Sequence, residues 1–194
     1  MLSERARHYL ATLKREAPVP TRELERVLKE QGATCFPAWL DFHERYAGYV
    51  EPIGLEMAVW GLVHQRPRWM KALRVAINPS YESRADSFVT CADVHPSYTY
   101  HLGDTGFFRE LAAESFDVKV ERNAVQAAFV TKPGPKPRTW THRRDEAFLE
   151  RVRRETSVVE EASDVNYQVR VGDRLFAVQE TSTGRLIDAI TRDG

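Results

Sequence analysis

The sequence predicts an α+β fold with N-terminal helices followed by an antiparallel sheet, a further helix and a C-terminal β-meander. Three observations predict it. The first quarter holds three short segments with apolar residues at helical spacing, each bounded by cap and stop residues. The middle and the end switch to β-branched and aromatic runs. Those runs are joined by tight-turn residues and follow one another as hairpins instead of alternating with helices.

Ser3 is placed to cap a first helix that carries Ala6, Tyr9, Leu10 and Leu13 on one face. Pro18-Val19-Pro20 ends that segment, since proline supplies no amide hydrogen and restricts the residue before it. Thr21 then caps a second helix, with Leu24, Val27 and Leu28 as its apolar side and Gly32 as its stop. Pro37 opens a third at the first-turn position, where its missing hydrogen costs nothing. Trp39, Leu40, Phe42, His43 and Tyr46 form its stripe, and Gly48 ends it.

Residues 53–64 read as a strand interrupted by Gly54 and Gly61. Pro67 and Asn78-Pro79 suggest a long loop around a short strand at 73–77. Strands are expected at 88–94 and 98–102, with Gly103-Asp104-Thr105-Gly106 as a hairpin turn into 107–111. Ser115 precedes a helix in which Phe116, Val120 and Ala124 fall at helical spacing. Residues 132–137 alternate proline with lysine and glycine, an extended linker. A charged helix is expected over about 141–159, with Phe148, Leu149 and Val152 as its apolar contacts. The meander follows as 167–171, 175–180 and 186–191, turning at Gly172-Asp173 and Thr183-Gly184. The organisation expected is a segment 1–131 and a segment 132–194 packed on the same domain.

The 194 residues carry 28 basic and 28 acidic side chains, so the net charge is zero. General nucleic-acid affinity needs a basic surplus, which argues against that class. The charge is uneven: residues 132–154 sum to +5 and residues 155–194 to −4. Trp140 and His142 lie within the basic span, a mixture able to stack bases and contact phosphates. A linker followed by a solvated helix explains the same residues and is preferred. No apolar run approaches a membrane span, and the first residues lack the apolar stretch of a secretory signal. A cytoplasmic protein with free thiols is expected.

Catalytic motifs are sparse. Cys35 and Cys91 stand alone and read as small core residues rather than nucleophiles. There is no phosphate-cradling glycine loop and no Gly-x-Ser-x-Gly elbow. Asp117-Val118-Lys119 resembles half of a nuclease signature but falls at the start of a helix. Asp93, His95, His101 and Asp104 gather possible metal ligands within a dozen residues. They carry the alternative reading, a small metal-dependent hydrolase in which the ion activates a water. Surface polarity around a hairpin is the competing account of the same four residues. No cofactor is implied.

Phe36-Pro37-Ala38-Trp39-Leu40-Asp41-Phe42-His43-Glu44-Arg45-Tyr46-Ala47-Gly48 resembles the opening motif of the SUKH superfamily. Residues 88–93 and 100–108 are similar to that family's central strands, with Gly103-Asp104-Thr105-Gly106 as a turn between two of them. Ala113-Glu114-Ser115-Phe116-Asp117 is similar to the approach to its C-terminal helix. The likeness covers about residues 33–130; two helices precede the motif and residues 132–194 extend past it.

The resemblance implies that Trp39, Tyr46 and Gly48 are fold residues, and it carries no catalytic set. It also implies a non-enzymatic immunity protein, which binds a cognate bacterial toxin domain and blocks it. Trp69, Tyr81, Glu82, Asp86 and Tyr98, in expected loops, are the candidate partner-binding residues. Trp and Tyr favour interface centres, and acidic side chains steer toward a basic partner. Trp69 and Tyr98 serve equally well as core or rim packing.

Overall fold

The computed structural model describes residues 1–30, 32–33, 37–53, 56–64, 77–78, 87–92, 99–103, 113–132, 138–143, 146–165, 167–181 and 184–191. Within it, Ala11–Phe116 forms one compact unit, and Met1–Leu10 with Asp117–Gly194 forms another.

Helix α1 (Glu4–Thr12) begins where Ser3 stands: the Ala6 amide donates to Ser3 Oγ at 3.1 Å. Strand β1 (Lys14–Arg15) follows, then helix α2 (Thr21–Glu30), which buries Leu24 and Leu28. At its end Gly32 adopts φ 85°. The Gly32 and Ala33 amides donate back to Lys29 O and Leu28 O, each at 3.0 Å, a Schellman closure. Helix α3 (Pro37–Tyr46) starts at the expected proline and buries Trp39, Phe42, His43 and Tyr46, while Leu40 is half-buried.

Gly48, at φ 89°, ends the turn after α3, and only glycine fits there. A Cβ would sit 2.1 Å from the Glu16 carbonyl oxygen, far inside van der Waals contact. The chain then forms β2 (Tyr49–Ile53) and β3 (Glu56–Val59), a hairpin rather than one interrupted strand. With β1 on the other side of β2 they make a three-stranded antiparallel sheet. Strands β4 (Ile77–Asn78), β5 (Ser87–Ala92) and β6 (Thr99–Gly103) make a second, also antiparallel, with a bulge between Val89 and Cys91. The core of this unit is aromatic. Phe116 lies 4.7 Å from both Phe42 and Tyr46 and 5.0 Å from Trp60, ring centre to ring centre.

Helix α4 (Phe116–Val130) begins just after Ser115, as the spacing predicts. The span expected as one long charged helix is instead a strand, β7 (Arg138–Arg143), and a shorter helix, α5 (Glu146–Glu155). Long-range pairing causes the difference. Thr139, Trp140 and Thr141 favour a pleated strand, and pairing with the last strand of the chain overrides the helical bias of the charges that follow. Then come β8 (Ser157–Val158), a 3₁₀ turn at Glu160–Ala162, β9 (Tyr167–Val171), β10 (Leu175–Thr181) and β11 (Gly184–Thr191).

These strands form one antiparallel sheet in the order β7-β11-β10-β9-β8, so the expected meander β9-β10-β11 is its centre. Period-two alternation gives it two buried faces. Val169 and Leu175 pack with Val125 and Phe129 of α4 on one face. Phe176 and Val178 pack with Leu149 and Val152 of α5 on the other. The sheet therefore lies between two helices. The whole chain is α+β with antiparallel sheets, as the sequence predicts.

Candidate functional site

Trp69, Tyr81, Glu82, Asp86 and Tyr98 lie outside the described residues, as do Asp93, His95 and Asp104. His101 belongs to β6, where its backbone pairs with Val89. Among the described residues no group of three or more His, Cys, Asp or Glu is placed to hold a metal ion.

The buried polar side chains of the Ala11–Phe116 unit hold backbone and core together. Trp39, fully buried, donates its indole N–H to Leu102 O at 2.9 Å and Gly103 O at 3.0 Å, tying α3 to β6. Glu51 on β2 is buried and accepts the Trp60 indole N–H at 2.8 Å. His43 joins three segments. Its Nε2 lies 2.9 Å from Val19 O, which can only accept, so Nε2 carries the hydrogen. That leaves Nδ1 free to accept the Leu62 amide at 3.4 Å. Burial pushes the His43 pKa down; the hydrogen bond to Val19 opposes this, and the Arg15 charge adds to it.

Gly61, at φ 68°, lets the chain pass over this ring. A Cβ there would lie 2.8 Å from Ala47 Cβ and 2.9 Å from His43 Nδ1. A histidine so enclosed is a structural clip, and it sits on the helix where the sequence places it as part of the stripe.

The other unit also buries ionisable groups, of which the sequence singles out only Lys119. Glu121 on α4 is buried and accepts the Ser3 backbone N–H at 2.6 Å and the Ser3 hydroxyl at 2.7 Å. The N-terminal segment is thereby fastened to α4. Arg122 reaches Asp164 at 2.5 Å, donates from Nε to Ala162 O at 3.1 Å, and stacks 3.9 Å above the Tyr167 ring. Lys119, within the weak nuclease-like triplet, is only 1% exposed, and burial pushes its pKa well below the ordinary lysine value. A side chain so enclosed offers no approach for a nucleic-acid phosphate.

A cleft of about 460 Å³ opens between the end of α5 and the β9–β10 turn. Two segments line it: Arg151, Glu155 and Thr156 at the end of α5, and Asp173, Arg174 and Phe176 on the β9–β10 turn and the strand that follows. The walls are fixed by their backbones. Arg170 on β9 donates to Arg153 O at 3.2 Å, Thr156 O at 3.0 Å and Thr156 Oγ1 at 3.0 Å, satisfying carbonyls at the helix end. Gly172 presses against α5 so closely that a Cβ would come within 2.6 Å of Glu155 O. Phe148 meets Phe176 edge-on, their ring centres 6.2 Å apart, and the Arg151 guanidinium lies 5.0 Å from the Phe148 ring. The sequence shows these residues only as helix charges and turn formers, because two separate segments contribute them.

No family model, curated protein or solved structure matches this chain. No helix among the described residues is long and apolar enough to cross a membrane.

Proposed function

We propose that the protein is a non-enzymatic immunity protein of SUKH-like type that binds a cognate bacterial toxin domain in the cytoplasm and blocks it. The observation that carries the reading is the setting of α3. That helix, opened by Pro37 and followed by the Gly48 turn, is hydrogen-bonded through Trp39 to β6 in one unit with the antiparallel strands. These are the elements that carry the resemblance. The roles of His43, Glu51 and Trp39 in that unit support it, since each is engaged in holding segments together. A protein that works by fit requires such rigidity more than it requires a reactive group.

The partner surface is assigned to Trp69, Tyr81, Glu82, Asp86 and Tyr98. Their aromatic rings supply contact area, and their carboxylates attract a basic toxin. Lysine at both Glu82 and Asp86 is expected to weaken the complex at least tenfold in calorimetry while the thermal unfolding midpoint stays in place. Unchanged affinity would remove both residues from the interface.

A further inference from the structure

We propose that the cleft between α5 and the β9–β10 turn binds a small zwitterion with an apolar body, the chemistry of an apolar or aromatic α-amino acid. Its size is in the range of small-molecule sites, which run from roughly 300 to 1,000 Å³, at about 460 Å³. Its charges are of both signs. Among the described residues, neither the Glu155 nor the Asp173 carboxylate makes an ion pair, and the Arg151 guanidinium has only the Phe148 ring beneath it.

Each single-signed ligand meets opposition here. An anion would face Glu155 and Asp173; a simple cation would face Arg151 and Arg174. A zwitterion satisfies both. Its ammonium group goes to the two carboxylates, its carboxylate to Arg151, and its apolar body to Phe176 of the lining. The Arg170 bonds and the close approach of Gly172 hold the two walls at a fixed spacing before any ligand arrives, which lowers the ordering cost of binding. The proposal rests on this cleft alone and does not depend on the immunity reading.

Calorimetry on the full chain with three probes tests it: L-phenylalanine, L-phenylalaninamide, which lacks the carboxylate, and N-acetyl-L-phenylalanine, which lacks the ammonium. Saturable binding of L-phenylalanine is expected, with each blocked compound at least tenfold weaker. Asp173→Asn and Arg151→Gln, both at exposed positions, should each weaken L-phenylalanine at least threefold with an unchanged circular dichroism spectrum. No saturable heat, equal affinity for all three probes, or wild-type affinity in both variants would overturn the proposal.

Discussion

Trp39 and Leu102 meet through a buried hydrogen bond: the indole N–H of α3 donates to the β6 carbonyl at 2.9 Å, with Gly103 O at 3.0 Å sharing the donor. Both residues are almost wholly buried, so water cannot replace the bond. Trp39→Phe keeps an aromatic ring but leaves two carbonyls without that donor. Stability should fall by about 2 kcal/mol, within the cost of leaving buried polar groups unsatisfied. Urea denaturation checks this; a loss of less than about 0.5 kcal/mol would show that the bond contributes little.

His43 makes the Ala11–Phe116 unit sensitive to acid. Its folded pKa lies below the ordinary 6.5, chiefly through burial. The unfolded chain therefore binds more protons below that value, and stability from the neutral ring is lost as pH falls. Above about pH 6.5 the contribution is complete. An imidazolium would also turn a second N–H toward the Leu62 amide that Nδ1 now accepts. Unfolding free energy should decline below pH 6.5 in the wild type, and His43→Gln should flatten that decline. Equal slopes in the two proteins would assign the acid sensitivity elsewhere.

Arg122 and Asp164 form a pair whose side chains are 10% and 1% exposed. Removing the cation strands a buried carboxylate, a loss of roughly 3–5 kcal/mol. Arg122→Leu should therefore unfold at markedly lower urea, whereas Arg122→Leu combined with Asp164→Leu should recover part of the loss. A double variant as unstable as the sum of the single ones would show that the pair does not act as a unit.

Gly61 and Gly32 separate backbone strain from crowding. Both have positive φ, but nothing lies within 4 Å of a Cβ at Gly32. Alanine at Gly32 should cost about 1 kcal/mol, the left-handed penalty alone. Alanine at Gly61, which meets Ala47 and His43, should cost about 3 kcal/mol or more, since overpacking adds to that strain. Equal losses in thermal denaturation would contradict the packing around His43.

The N-terminal helices were legible because their signals are local. Ser3, Pro37 and the glycines at 32 and 48 act within one turn of chain, and the structure places each at a helix boundary. Strand β7 was not legible as a strand, because its pairing partner β11 lies far along the sequence while the charges around it favour a helix. Glu51, Lys119 and Glu121 resemble surface residues until tertiary packing buries them. The cleft has the same character: Arg151 and Asp173 come together only because β9 returns beside the end of α5. The partner-binding residues chosen from the sequence rest on its composition and on the resemblance.

The immunity reading is tested most directly by capturing the tagged full chain from its native cell, identifying any stoichiometric partner, and expressing that partner alone and together with this protein. The account predicts one partner that stops growth alone and is harmless when co-expressed. A partner that is harmless alone, or one whose toxicity survives co-expression, would contradict it.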